Sequence, residues 1–544
     1  MRNSIESIEE TRLSEQVPIP RPVAAGSTRR KGNQFAAWLG LFLIYGITTA
    51  VHSMRKFWYD ELFTWHMSQQ RGFAGVWAAL KGGADFNPPL GYMVTKGFQF
   101  LFGNLELATR MPALFGYFIM SLCLYRFVSR RSAPAYGYVA AVCSWCSGAY
   151  MFASQARAYG LVLCFAGLAL VCWQEASCDE KIQRGKRTWF LIGLCLSLAG
   201  ALLSHCYAVL LLIPFTIAEL VRQYHGRLFD RAMWAALLAP LGCISIYFTL
   251  HANLNSYVSK NYLFQVPWTS VPLVYGFLLV PLLWPVAISA LLVAIPSWSL
   301  LASSKDLGNA ETSPVVLWHE WAIAAGFAII PACAVVLARV GSSPFFPRYG
   351  ANGVIGFSLL FALFLRWRGT PHRAASMVTA VFLVCYVAAF GGYLYETLGA
   401  KPTPEAASLD GKERHKDPFE VKPDLPFVVS SALELLEIDH YAPPSVTSRL
   451  YYLTDRDAAL EYTQTDGFDA GFPNLQRWFP MHAKLAPYQT FIREHQRFLL
   501  YGVYSFPTDW LIKKLIDDGA DVRLIGDAEG GYGDNLLFEV IPKP

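Results

Sequence analysis

Charge is scarce in this chain. Only 16% of its 544 residues are Asp, Glu, Lys or Arg, while 54% are hydrophobic. A soluble chain carries about 25% charged residues, and a mean hydropathy of +0.31 argues against a soluble multidomain enzyme. At 15% aromatic the chain is also unlike a disordered one. No concentrated basic face accompanies the net charge of +5, so a nucleic-acid partner is not expected. Cysteine stops at Cys385, so the last 150 or so residues have no disulfide framework. Cys143 and Cys146 fall inside an apolar run and read as small core residues. No internal repeat is visible.

What is abundant is long apolar sequence. Eleven runs suit membrane spans: 35–51, 107–128, 134–156, 158–174, 189–204, 206–218, 232–250, 269–304, 321–338, 349–365 and 374–395. The second has Arg110 near one end and Arg126 near the other, where both can snorkel. The eighth contains Pro272, Pro281, Pro285 and Pro296 and reads as one kinked span. Residues 88–102 are apolar but short, with Lys96 in the middle. If they do not cross, the basic clusters at 29–31, 126–131, 181–187, 222–231 and 366–373 all fall on the cytoplasmic side, as flanking Lys and Arg should. They are therefore read as an interfacial or re-entrant helix.

The expected organisation is a disordered cytoplasmic tail over 1–34 and a transmembrane domain over 35–396. Within that domain, 53–106 forms a first exported loop with juxtamembrane helices. A linker over 397–426 leads to an exported α/β domain over 427–544. That domain shows strand-like segments at 427–430, 450–453, 497–504, 522–525 and 536–541, an amphipathic segment at 509–518, and a turn at Gly530–Gly533. Gly530–Gly533 lacks the Lys-Ser/Thr of a phosphate loop.

On this topology the polar residues near the membrane gather on one face. They are Asp60, Glu61, Asp85 and Asn87 in the first loop, Gln155, Arg157 and Tyr159 in the second, then His205 and Tyr207, Lys260, and Arg348 with Tyr349. Ionisable groups at a bilayer are costly and mark function. A carboxylate can take a proton from an attacking hydroxyl. Arginine can hold a phosphate by two parallel hydrogen bonds. The set suits displacement at a carbon whose leaving group is a lipid phosphate.

The ordered motifs Tyr59-Asp60-Glu61, Asn87-Pro88-Pro89-Leu90, Gln155-Ala156-Arg157-Ala158-Tyr159, Ser204-His205-Cys206-Tyr207 and Pro347-Arg348-Tyr349 resemble those of membrane-embedded GT-C glycosyltransferases. The chain is similar over about 35–395 to bacterial relatives of the protein O-mannosyltransferases and lipid A aminoarabinose transferases. The resemblance implies an inverting transfer of a sugar from a polyprenyl-phosphate carrier to an acceptor hydroxyl, on the outer face of a bacterial inner membrane. It implies catalytic roles for Asp60, as general base, and its neighbour Glu61. It also implies substrate-binding roles for Asp85, Asn87, Arg157, Tyr159, His205, Arg348 and Tyr349, with Arg157 and Arg348 on the carrier phosphate; Lys260, outside the motifs, is a further substrate-binding candidate that can pair with phosphate or a lipid headgroup. The acceptor, whether glycan, lipid or protein, is left open. It names no particular cofactor; a divalent cation beside Asp85 and His205 is the alternative to an acceptor contact there. The chain departs from the family pattern in having Asn87 where His often precedes Pro-Pro, and Ala156 where a carboxylate can precede the middle Arg. A lipid transporter or flippase, or a non-catalytic envelope assembly protein, is the alternative reading. Transporters often show internal repeats and midplane charges.

One face for all these groups predicts that single cysteines placed at Asp60, Asp85, His205, Arg348 and in the C-terminal domain react from outside intact cells with an impermeant reagent. Labelling of the first loop alone would mean that 88–102 crosses the bilayer.

Overall fold

The computed structural model describes residues 28–177, 184–227, 229–252, 266–294, 317–341, 345–399, 421–502, 509–530 and 533–543. Apolar runs of this length satisfy their backbone groups in lipid only as helices, and each of the eleven runs forms one helix or a broken pair. They are preceded or joined by short helices in the first loop. In chain order these are α1 (Thr28–His52), α2 (Tyr59–Gln69), α3 (Gly72–Lys81), α4 (Leu90–Phe102), α5 (Glu106–Ser129), α6 (Pro134–Trp145), α7 (Tyr159–Ala176), α8 (Arg184–Leu202), α9 (Leu212–Gly226), α10 (Arg231–Leu238), α11 (Ser245–Ala252), α12 (Ser270–Leu279), α13 (Leu283–Ala294), α14 (Trp318–Val340), α15 (Gly353–Trp367) and α16 (His372–Gly399). Short 3-10 turns link several of them. The turn at Val280–Leu282 contains Pro281 and marks the break between α12 and α13, as the prolines of that run suggested.

Among the described residues, eight helices or helix pairs are long and apolar enough to cross a membrane, and the protein is an integral membrane protein. Many large apolar side chains on these helices, such as Leu196, Leu283, Trp284 and Leu291, are exposed and suit a lipid surround. Helix α4 has 13 residues, or about 20 Å of length. That is less than the hydrocarbon thickness of about 30 Å.

The chain divides at Thr48/Thr49, within α1. The first unit includes the described start of α1. That helix begins at Thr28, so residues 28–34, assigned to the tail from sequence, are helical. Residues 1–27 lie outside the described part.

In the second unit, α5 and α7 pack closely because small residues face each other. A Cβ on Gly116 would come within 2.5 Å of the Gly160 carbonyl oxygen, and one on Gly160 within 2.5 Å of Ala113 Cα. Close approach of small residues is a principal source of helix association in lipid. The contact matters for function because the residues just before α7 and those at the start of α5 are thereby brought together.

Four of the basic clusters, at 126–131, 181–187, 222–231 and 366–373, meet at the far end of the same bundle. Arg126 and Arg130 bond Glu175, Arg131 bonds Glu320, and Arg187 and Arg222 share Asp230. Arg366 donates to the Arg131 carbonyl, and Arg187 to that of Ala176. Arg110 and Arg126 stand 16 residues apart on α5, about 24 Å along the axis. The end near Arg110 carries the candidate site.

The C-terminal domain is a six-stranded sheet in the order β3-β2-β1-β4-β6-β5. The strands are β1 (Phe427–Val429), β2 (Leu450–Thr454), β3 (Lys484–Pro487), β4 (Phe498–Gly502), β5 (Asp521–Gly530) and β6 (Gly533–Ile541). The pairs β1/β2, β2/β3 and β1/β4 are parallel, while β4/β6 and β5/β6 are antiparallel. Helices α17 (Ala432–Tyr441), α18 (Pro444–Thr447), α19 (Arg456–Thr463), α20 (Gly467–Leu475), α21 (Tyr488–Glu494) and α22 (Leu511–Asp517) cover it. The strands expected from sequence are present and Gly530 pairs with Gly533 at the β5–β6 hairpin. Strand β3 and helices α17 to α21 are additions.

The expected boundaries shift in two places. Val421 and Leu425, assigned to the linker, pack on the domain core. The first-loop helices do not stand apart from the C-terminal domain: Leu62, Met67, Val76, Leu80 and Ala84 share one apolar cluster with Phe427, Val429, Leu450, Leu499 and Tyr501. One face of the sheet is thus closed by α2 and α3. Its other face is closed by residues such as Val428, Leu500, Leu511, Leu515 and Phe491. A largely parallel sheet needs cover on both faces. Gly82 makes one of the close approaches: a Cβ there would lie 2.4 Å from the Trp478 ring, and its carbonyl accepts from Asn474 Nδ2 at 2.6 Å.

Substitution of Gly160 by leucine should force α5 and α7 apart. The expected outcome is a loss of about 1–3 kcal/mol, as for other overpacked interiors, read as a lower half-unfolding temperature in detergent.

Candidate functional site

Helix α2 organises the site, and its first turn is fixed from several directions. Glu61 is fully buried against Arg110, also fully buried. Arg110 Nε donates to Glu61 Oε1 at 2.7 Å and Nη2 to Oε2 at 2.6 Å. The remaining guanidinium hydrogens go to three carbonyls: Nη1 to Ser53 at 2.7 Å and Arg55 at 2.6 Å, Nη2 to Lys56 at 3.0 Å. All five donors of the planar fork are used, and the guanidinium lies 5.0 Å from the centre of the Phe57 ring. Arg110 therefore does not snorkel to an interface, as its place near a span end suggested. It has a carboxylate and three backbone carbonyls to bond in the interior.

Glu61 also accepts from the Ala156 amide at 2.6 Å and the Trp58 amide at 3.4 Å. Its carboxylate is thus spent on structure. Sequence placed it beside Asp60 in a catalytic pair; the structure turns it away, because successive helix positions point about 100° apart. At the other end of α2, Lys96 Nζ donates to the Ser68 and Gln70 carbonyls at 3.0 and 2.9 Å. The mid-helix lysine of α4 thereby satisfies carbonyls left open at a helix C-terminus.

Asp60 points the other way. Its carboxylate pairs with Arg348 Nη1 at 2.7 Å, and its backbone carbonyl accepts from Arg157 Nη1 at 3.0 Å. Arg157 sits in the turn between the Gly148–Ser154 3-10 segment and α7, and also reaches Asp85 Oδ2 at 3.4 Å. Asp85 is buried. It accepts from the Tyr92 hydroxyl at 2.6 Å and the Phe86 amide at 2.6 Å, with Asn87 Nδ2 at 3.5 Å. Its loop turns at Gly83, whose φ of 78° is the left-handed conformation that glycine adopts without strain. Burial, then the Asp85 carboxylate, holds the Tyr92 hydroxyl protonated well above the ordinary range, so Tyr92 donates.

Arg348 lies in the Pro347–Gly350 turn before α15, 4.2 Å from the Phe346 ring centre and 5.7 Å from that of Trp58. Its Nε is buried without a hydrogen-bond partner, as is Asn352 Oδ1. His205 accepts from the Tyr207 amide on Nδ1 at 3.2 Å, which leaves the ring proton on Nε2. Burial, then the Arg157 and Arg348 cations, pushes its pKa down to about 3, so the ring is neutral. Its ring lies 5.1 Å from Tyr159 and 5.5 Å from Tyr349, and Tyr207 stacks on Tyr349 at 4.2 Å.

Two clefts flank this centre. One is lined by Thr64, Asn87, Tyr92, Thr95, Gln155 and Arg157, among others. The second is lined by Tyr159, Val162, Leu163, His205, Tyr207, Arg348, Tyr349 and Asn352, among others. Arg157 belongs to the first and Arg348 to the second; both hold Asp60.

Asp60, Asp85, Asn87, Arg157, Tyr159, His205, Arg348 and Tyr349 are thus brought together. Lys260 lies outside the described residues. Among the described residues no three His, Cys, Asp or Glu side chains form a metal-ligand set. Sequence reasoning missed Arg110 as the partner of Glu61, although its charge inside an apolar run was a signal. It also missed the C-terminal residues that bond the entry to α2.

A helical membrane bundle with a charged centre at one end and an α/β domain beside it is a fold that the chain shares with a solved membrane protein, ArnT. Residues 87–251 match the family model described as dolichyl-phosphate-mannose-protein mannosyltransferase. That span includes Asn87, Arg157, Tyr159 and His205 but not Asp60, Glu61, Asp85 or Arg348. Among solved structures, the chain is similar to ArnT from Cupriavidus metallidurans bound to undecaprenyl phosphate, at a TM-score of 0.50 and 12% identity, over 92% of this chain and 98% of that one. The apo form of the same protein aligns at a TM-score of 0.41 and 11% identity, over 93% and 98%. No curated protein matches the chain in sequence.

Removing one member of a buried ion pair strands the other and typically costs about 3–5 kcal/mol. Glu61→Ala and Arg110→Ala should each lower the unfolding temperature strongly, with the double variant less destabilised than the sum of the two, because their partners are shared.

Proposed function

We propose that the protein is an inverting glycosyltransferase that moves a sugar from a polyprenyl-phosphate carrier to an acceptor hydroxyl, with Asp60 as general base. The observation that supports this most directly is the position of Asp60 between two arginines that line separate clefts. The fold shared with ArnT, which was solved with undecaprenyl phosphate, makes a lipid phosphate the natural leaving group.

The second cleft suits the carrier. Arg348 Nε and the proton on His205 Nε2 are donors for phosphate oxygens, and charge-assisted bonds of this kind are the strong ones. Val162, Leu163 and Ala208 on its wall are apolar and lead into α7 and α9, where an isoprenoid chain would run. The first cleft has hydroxyl and amide groups from Thr64, Tyr92, Thr95, Asn87 and Gln155, which suit the hydroxyl-rich surface of an acceptor. In the reaction the acceptor oxygen attacks the anomeric carbon as its proton passes to the Asp60 carboxylate. The carbon–oxygen bond to phosphate breaks, and its electron pair leaves with the polyprenyl phosphate. Arg348 and Arg157 offset the charge that develops there. Glu61 acts through α2, as a positioning residue. The site would face the outer side of the inner membrane, the side opposite the basic clusters.

The test uses purified full-length protein with undecaprenyl-phosphate-linked mannose and aminoarabinose as trial donors. Asp60→Asn should lower kcat by about 10²–10⁴-fold, the usual share of a general base, while undecaprenyl phosphate still binds. Wild-type turnover in Asp60→Asn would remove Asp60 as the base. Failure of the wild-type protein to consume any polyprenyl-phosphate sugar would overturn the function.

A further inference from the structure

The segment that leads into α2 takes two of its hydrogen bonds from the far end of the chain. The Phe57 amide donates to the Tyr441 hydroxyl at 2.7 Å, and the Tyr59 amide to Glu437 Oε1 at 2.9 Å. Between them, the Trp58 amide donates to Glu61 at 3.4 Å. Tyr59 is the first residue of α2, so its amide is one of the group at a helix start that has no acceptor within the helix. Both remote acceptors stand on α17, one turn apart. Tyr441 in turn donates to Glu106 at the start of α5 at 3.1 Å.

Helix α17 is itself seated on α2. His440 lies edge-on to Trp65 at 4.7 Å and to His66 at 6.2 Å. Leu435 and Leu436 are buried in the cluster that contains Leu62 and Met67. These contacts fix where the Glu437 and Tyr441 oxygens stand. The next residue after the Glu437-bonded amide is Asp60.

We propose that Glu437 and Tyr441 are positioning residues for sugar transfer, which hold the Phe57–Tyr59 backbone so that the Asp60 carboxylate stands between Arg157 and Arg348. The C-terminal domain thereby forms part of the catalytic apparatus without touching the reacting atoms. This inference rests on the glycosyltransferase reading. Burial of Glu437, together with the nearby Glu434 and Glu61 carboxylates and against the bond from the Tyr59 amide, raises its pKa to about 7. Its role in the contact is that of an oxygen acceptor, which an amide oxygen supplies equally well.

The experiment compares full-length Glu437→Ala, Glu437→Gln and Tyr441→Phe with the wild type. Amide hydrogen exchange over residues 53–62 is measured beside kcat and KM for the lipid-linked donor. Loss of a helix-cap acceptor typically changes a local equilibrium about fivefold, so Glu437→Ala and Tyr441→Phe should each speed exchange and lower kcat by about that factor, with donor KM within about twofold. Glu437→Gln should keep the slow exchange and at least about half of kcat. The proposal is overturned if Glu437→Ala exchanges and turns over as the wild type does. It is equally overturned if Glu437→Gln falls as far as Glu437→Ala, or if KM rises while kcat holds. If Glu437→Ala does not fold, Tyr441→Phe, which keeps its ring, carries the same comparison. If the wild type transfers no sugar, the functional reading fails, while exchange still decides whether Glu437 holds the segment.

Discussion

The ion pair between Arg110 and Glu61 is the constraint on which the rest of the site depends. A buried pair of this kind contributes little net stability against a well-packed apolar alternative, and its use is to specify geometry. Here the geometry is unusually complete. The guanidinium fixes the carbonyls of Ser53, Arg55 and Lys56, and the carboxylate fixes the amides of Trp58 and Ala156. The end of α1, the start of α2, the start of α5 and the approach to α7 are thus joined through two side chains. Asp60 and Arg157 are each one residue from a bonded position in that junction. Their mutual placement follows from it.

Around this junction the structure separates two kinds of stabilisation. Below it, α5 and α7 approach through glycine and alanine, which lets backbones touch where lipid offers no hydrophobic drive. Above it, α2 and α3 close one face of the C-terminal sheet with a large apolar core, the ordinary water-side solution. Helix α2 belongs to both regimes. Its Glu61 face is tied to the bundle, its Leu62 and Met67 face to the sheet, and its Asp60 corner to Arg348 and Arg157.

The fold was legible in the sequence where a pattern extends over many residues. The apolar runs forecast every helix of the bundle, and the four prolines of 269–304 forecast the break at Pro281. The strand-like segments 427–430, 450–453, 497–504 and 536–541 emerged as β1, β2, β4 and β6. Strand β3, Lys484–Pro487, is four residues with no buried position, too short and too exposed to leave a pattern. In the site, Asp60, Arg157, His205 and Arg348 were legible as a set because the order of the apolar runs puts each of them on one face. What one residue of rotation does was not legible: Asp60 and Glu61 are neighbours in sequence and face opposite environments. Nor was the partner of Glu61, 49 positions away, because an arginine near a span end has the same sequence signature whether it reaches out to headgroups or in to a carboxylate.

The distance along the chain between the two acceptors on α17 and the amides that they hold has a consequence for biogenesis. The contacts close over 384 and 378 residues, and nearly the whole bundle is synthesised between the two ends. A chain still emerging from the ribosome, with its last apolar run made but residues 421–543 unmade, already contains Asp60, Arg157 and Arg348. It lacks the oxygens for Phe57 and Tyr59 and the sheet that buries Leu62 and Met67. The last hydrogen bonds and the apolar cover on α2 therefore form only once the final domain is made.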